Sequence, residues 1–187
     1  MSVLSINRIL DYKSEIMIWK DVVKKSPRKV LARNNLAIAF LNKDMDELAE
    51  KHLKIALKLN PTFRSANLNL GHIFFKREDY LQAKKYFDLA IFYGENNGLI
   101  FYNAGLTQIR LNNPLEGIKY FKKAIAQKPE NSDYHYALGN AYKTLKRKDE
   151  AIKEYKKTLN LDPSNSSSQN NMGVIFFENK MYRLAEE

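Results

Sequence analysis

His52, His72 and His135 are the three histidines of a 187-residue chain that has no cysteine. No two of them stand four residues apart, the spacing that sets two metal ligands on one helical face. No matched carboxylate pattern accompanies them, and no P-loop, GxGxxG or GxSxG is present. Without thiols there is no disulfide framework, thiolate nucleophile or thiolate metal site. The chain is therefore read as a non-enzyme, with no catalytic set, no metal ligands, no cofactor and no small-molecule substrate. What recurs is a carboxamide. Asn35, Asn69 and Asn103 follow each other at 34 residues, and Asn171 stands two further steps on, with Ala137 at the missing rung. A carboxamide is both donor and acceptor. A row of them can hold the backbone of an extended peptide without reading its side chains.

Such a row needs helices that recur with the same step. In residues 132–165 two amphipathic helical patterns flank a polar turn around Lys146 to Lys148. Leu138, Gly139 and Tyr142 share a face of the first pattern, and Ala151, Tyr155 and Thr158 share a face of the second. Pro163 stops the second pattern. The same template fits 30–63 through Leu36, Ala37, Phe40, Ala49, Leu53, Ala56 and Pro61. It fits 64–97 through Leu70, Gly71, Phe74, Ala83, Phe87 and Ala90, with Glu95 in the proline slot and Gly94, Asn96, Asn97 and Gly98 supplying turn chemistry. In 98–131 Gln108 replaces the aromatic and Gly117 an alanine. Asn113 and Pro114 are expected there as an N-cap and first helical residue. Residues 13–29 read as a half-repeat, a second helix whose Trp19 takes the position of Leu53, Phe87, Phe121 and Tyr155. Its expected role is packing on Leu36 and Phe40. Residues 1–12 are a mixed leader. Residues 166–187 hold an incomplete fifth unit through Met172, Gly173, Phe176 and Ala185, its second helix expected from Lys180 and its apolar surface open to fraying or self-association.

A large residue, a small one and an aromatic, then Ala-x3-aromatic and a closing proline, resembles the tetratricopeptide repeat (TPR). The resemblance implies an all-α TPR solenoid of antiparallel helix pairs forming a right-handed superhelix, with first helices lining the concave side. It implies a protein–protein interaction scaffold whose partner is a protein or peptide. The amide row resembles the asparagine ladder of the TPR domain of O-linked N-acetylglucosamine transferase. Carried over position by position, the expected peptide-binding residues are Asn35, Asn69, Asn103 and Asn171, with Ile38, His72, Phe75, Lys76, Tyr102, Leu106, Arg110, Tyr136, Asn140 and Lys143 around them. That surface suits apolar anchors and an acidic group. The carboxylate clamp of chaperone-binding TPR domains is missing, because Asn34, Ile38, Leu99 and Asn103 occupy its slots.

Net charge is +10, and many lysines fall on the second helices, among them Lys51, Lys119, Lys122, Lys153 and Lys156. Such rows solvate a helix and can touch phosphate without reading sequence. The aliphatic inner positions argue against base reading, so nucleic acid is the lesser expectation. The apolar runs are short of a membrane span, and a cytoplasmic location is expected. The alternative rests on residues 12–37, which resemble the junction between the last span and the TPR array of multispanning bacterial glycosyltransferase-like proteins. On that reading the array is extracytoplasmic, and the membrane contact lies in a missing upstream region.

Overall fold

The computed structural model describes residues 15–186. The leader at 1–12 and the start of the half-repeat lie outside the described residues. So do the side chains from Lys180 onward, Ala185 included. Helix α1 covers 15–25. It is followed by α2 (Val30–Leu41), α3 (Asp46–Leu59), α4 (Arg64–Lys76) and α5 (Tyr80–Phe92), then α6 (Gly98–Arg110), α7 (Pro114–Gln127), α8 (Ser132–Thr144), α9 (Lys148–Leu161) and α10 (Ser166–Glu186). No strand occurs among the described residues. The chain forms two compact units, Met1–Glu95 and Asn96–Glu187. Within them, α2 pairs with α3, α4 with α5, α6 with α7, and α8 with α9.

Each pair closes on a small residue. A methyl placed on Gly71 would stand 2.5 Å from the Phe87 ring, one on Gly105 2.5 Å from Phe121, and one on Gly139 2.7 Å from Tyr155. The rings occupy the space a side chain would need, so the two helices meet over bare backbone. In α2 and α3 the partner is Leu53 rather than a ring, and Ala37 fits. Gly117, where the template has an alanine, has its own reason: a methyl there would meet Ile109 Cδ1 at 2.9 Å and the Gly105 carbonyl at 3.2 Å. Further rings reinforce the hairpins. His52 stacks on Phe40 and Tyr86 on Phe74, with centroids 5.7 and 5.4 Å apart, and His72 packs edge-on against Phe87. Trp19 is half-buried against the cluster that contains Leu36 and Phe40, as its register requires.

The turns are as periodic as the core. Asp44, Glu78, Asn112 and Lys146 all have left-handed backbones, with φ of 54, 61, 60 and 57°. The next step falls on Lys180, and there the expectation of a new helix fails. Helix α10 runs unbroken through that position to Glu186. A left-handed turn costs an L-residue about 1–2 kcal/mol. No following helix packs on α10 among the described residues to offset that cost. The expected side-chain cap at Asn113 is also absent. Pro114 opens α7 as anticipated, but the Asn113 amide donates to Gln108 Oε1 at 3.4 Å instead.

A second periodic device ties the loop to the helix after it ahead of α2, α4, α8 and α10. Arg33 Nε donates to the Pro27 carbonyl at 2.7 Å, and Asn67 Nδ2 reaches that of Pro61 at 3.5 Å. His135 Nε2 stands 2.9 Å from the Pro129 carbonyl, and Gln169 Nε2 donates to that of Pro163 at 3.3 Å. The donors change from repeat to repeat while their position does not. His135 also meets Glu154 Oε2 through Nδ1 at 2.7 Å, which gives this buried ring a structural role.

Two outcomes test this packing. Gly139→Ala should cost about 1–3 kcal/mol by overpacking against Tyr155. Gly173→Ala, whose methyl would meet nothing within 4 Å, should leave stability unchanged or raise it by up to about 1 kcal/mol through helix propensity. Equal losses in urea melts would refute the socket account. The second outcome concerns pH. Burial pulls the His72 and His52 imidazoles below their ordinary 6.5, and at His52 the nearby Arg33, Lys51 and Lys20 add to it. The unfolded chain then binds more protons than the fold as pH drops through that value, so stability is present above it and lost below it. Melting temperature should fall between about pH 7 and 5, and His72→Phe with His52→Phe should flatten that slope.

Candidate first-helix binding row

The expected site residues lie on the first helices of both units, and each unit has its own set. In the first unit, α2 carries Asn35 and Ile38, and α4 carries Asn69, His72, Phe75 and Lys76. Asn69 Nδ2 donates to Asn34 Oδ1 at 3.2 Å, and Asn34 Nδ2 reaches Asn35 Oδ1 at 3.5 Å. Three amides thus form one chain across two helices, and the buried Asn34 is its centre. Ile38 and His72 are half-buried beside it. Phe75 packs edge-on to Tyr80 at 5.5 Å. Lys76 is turned to the preceding turn, 2.9 Å from Asp44 and 3.0 Å from Asp46. Its charge is already matched by carboxylates.

In the second unit, α6 carries Tyr102, Asn103, Leu106 and Arg110, α8 carries Tyr136, Asn140 and Lys143, and α10 carries Asn171. The half-buried Tyr102 leans on Tyr134 and Phe121, with centroids 5.1 and 6.0 Å away, and burial pushes its phenol up. The half-buried Tyr136 lies 6.1 Å from the Tyr155 ring. Leu106 fills in beside them, packed on the same core. The Asn103 carbonyl accepts from Thr107 Oγ1 at 2.7 Å. Arg110 is exposed and has no ion-pair partner among the described residues.

The polar centre of this unit has a fixed direction. Lys143 Nζ donates to Asn171 Oδ1 at 2.7 Å, and Asn171 Nδ2 donates to Asn140 Oδ1 at 3.0 Å. Tyr155 OH donates to the same Asn140 oxygen at 2.7 Å. An ammonium only donates, so it forces the Asn171 oxygen toward itself and its amide N–H toward Asn140. The Asn140 oxygen is then held by two donors. Its NH2 group makes no hydrogen bond to any described residue and has two protons to give. The same bonds spend Asn171 on joining α10 to α8. One rung of the asparagine row is thus a helix tie, and Asn140 stands beside the row.

A second asparagine series escaped the sequence reading. Asn97, Asn131 and Asn165 cap the next helices by accepting from the backbone N–H of Ile100, Tyr134 and Ser168 at 3.0, 3.2 and 2.9 Å. Asparagine immediately ahead of a helix was the available signal. Among the described residues no group of three or more His, Cys, Asp or Glu could hold a metal ion, and no helix is long and apolar enough to cross a membrane. The lysines of the second helices are mostly exposed. Lys54 pairs with Glu50 at 2.5 Å and Lys84 with Asp88 at 2.7 Å.

A tetratricopeptide-repeat family model matches residues 102–166, and another matches 65–91. No curated protein sequence matches the chain significantly. Among solved structures, YrrB, described as a TPR protein with an unusual peptide-binding site, superposes with a TM-score of 0.81 at 21% identity, over 87% of this chain and 84% of its own. MamA superposes at 0.77 with 24% identity, over 89% and 98%. MamA from Desulfovibrio magneticus RS-1 does so at 0.76 with 20% identity, over 87% and 92%. At these identities the structural likeness shows the fold, and the repeat models match where the glycine–ring hairpins lie. The chain is a tetratricopeptide-repeat protein.

Proposed function

We propose that the chain is a protein–protein interaction scaffold that takes an extended peptide along its first helices. The second unit offers the best-defined seat. The observation that carries this reading is the fixed Asn140 amide, whose oxygen is held by Tyr155 and Asn171 and whose NH2 has no described partner. A preorganised pair of donors suits a peptide carbonyl, since no ordering cost falls on the amide at binding. Tyr102, Leu106 and Tyr136 supply half-buried apolar surface for anchor side chains. Arg110 supplies a charge for an acidic one. The first unit offers the shorter amide chain through Asn34, Asn35 and Asn69 with Ile38, His72 and Phe75. The peptide-binding site named for YrrB is in keeping with this use of the fold. The earlier picture of equivalent asparagine rungs becomes more specific. Asn171 and Asn69 act largely through their neighbours, and Asn140 meets the peptide.

A display library of random extended peptides, panned on the chain, tests the proposal. Enriched peptides should share spaced apolar or aromatic anchors with an acidic residue. Asn140→Asp keeps the oxygen acceptors and removes the NH2 donors. It should weaken a selected peptide at least tenfold, about 1.4 kcal/mol, with the helical circular dichroism unchanged. Arg110→Glu should cost a similar factor for acidic peptides alone. Binding that ignores both changes, or that falls steeply with salt and maps to the lysines of the second helices, would replace this reading with polyanion binding.

A further inference from the structure

In the first unit, Glu47, Lys51, Lys54 and Lys58 line one face of α3, opposite the buried Ala49, Leu53 and Ala56. The same face of α5 holds Leu81, Lys85, Asp88 and Phe92, opposite the buried Ala83, Phe87 and Ala90. Leu81 is 71% exposed and Phe92 79%. The repeat does not require apolar residues there. The slot of Leu81 holds Glu47, Leu115 and Asp149 in the other second helices, and that of Phe92 holds Lys58, Ala126 and Asn160. Phe92 is also held in place. Gly94, at φ 96°, ends α5 by donating its N–H to the Ile91 carbonyl at 3.0 Å, and the Glu95 N–H donates to that of Ala90 at 2.9 Å. These are the paired bonds of a Schellman turn. Tyr93 packs edge-on to the Phe92 ring at 5.2 Å.

The two helices share one core, where Tyr86 of α5 packs on the cluster that contains Leu53 of α3. Every acidic residue of α3 and α5 is already matched. Asp46 meets Lys76, Glu47 meets Arg77, Glu50 meets Lys54 and Arg77, and Asp88 meets Lys84. Lys51, Lys58 and Lys85 are exposed and have no ion-pair partner among the described residues. The face therefore carries surplus positive charge with an apolar side chain at each end of α5, about 16 Å apart along the helix. A protein interface keeps lysine out of its centre, because an unmatched ammonium would lose its water there. A bilayer surface makes no such demand. Its anionic headgroups attract lysine, and leucine and phenylalanine reach the acyl boundary just beneath them. We propose that this face of the first unit docks on an anionic lipid surface, with α5 in the plane of the interface. Leu81 and Phe92 insert at the two ends of α5, and Lys51, Lys58 and Lys85 lie against lipid phosphates. The inference stands apart from the peptide-binding proposal, whose residues all lie on first helices.

Flotation of the full chain with lipid vesicles tests it, using phosphatidylcholine alone and phosphatidylcholine with about 30% phosphatidylserine. The chain should float with the anionic vesicles and stay behind with the neutral ones. Replacing Lys51, Lys58 and Lys85 together by Gln should weaken binding on the order of a hundredfold. Leu81→Ser with Phe92→Ser leaves the charge intact and should still weaken it about tenfold. All five side chains are exposed, so both variants should keep the parent's helical circular dichroism. Asn140→Asp should leave flotation unchanged, so this surface and the peptide seat fail separately. No flotation with the anionic vesicles at about 50 mM salt overturns the proposal, as does equal flotation with the neutral ones. So does flotation that ignores the Leu81 and Phe92 changes, which is charge attraction alone. A chain that prefers single-stranded RNA to the vesicles, with Phe92 stacked on a base, overturns it as well.

Discussion

The fit of an aromatic ring over a glycine is the constraint from which the rest of this structure follows. In α4, α6 and α8 the glycine lets the ring of the following helix lie on bare backbone, and a methyl there would overlap it. Interiors are packed too tightly to absorb such an overlap cheaply. Ring and glycine must therefore change together, and they do: Ala37 appears where the partner is Leu53 rather than a ring. The tight hairpin fixes the distance between its helices. Each of the four hairpin turns carries a left-handed residue, Asp44, Glu78, Asn112 or Lys146.

This constraint made the fold legible in the sequence. A small residue opposite a ring recurs with the same residue types at the same step, and a pattern of types is what a sequence displays. The devices that share only a capacity were not legible. The loop carbonyls of Pro27, Pro61, Pro129 and Pro163 are held by arginine, asparagine, histidine and glutamine. No side-chain type repeats, and only the ability to donate is common to them. His135 accordingly looked like an isolated imidazole until its two oxygen partners were in view. The unbroken α10 was not legible either. The 34-residue step puts a turn at Lys180, and the helix runs through it.

The candidate site was half legible. The positions on the first helices follow from register alone, and the asparagine row was visible as a row. Which amide atoms remain for a ligand was not. That depends on direction, and direction enters through Lys143, whose ammonium can only donate. From it the chain of bonds runs through Asn171 to Asn140, and Tyr155 closes it from α9. Lys143 through Asn171, together with Tyr155, thus fixes which atom of Asn140 is held.

The same bonds explain how α10 stays docked without a hairpin partner. An internal first helix is held from two sides, by the helix before it and by the ring of the helix after it. Helix α10 has the first hold, with Ile175 buried in the core of its unit. In place of the second it has polar ties. Asn171 reaches Asn140 and Lys143, and Lys148 of α9 reaches Asn179 and Glu178, both at 3.1 Å. Such bonds contribute less each than ring burial, about 0.5–1.5 kcal/mol net. They do not compete for the hairpin face, because they lie on the sides turned to α8 and α9. The helix is thus positioned while its glycine socket is left clear.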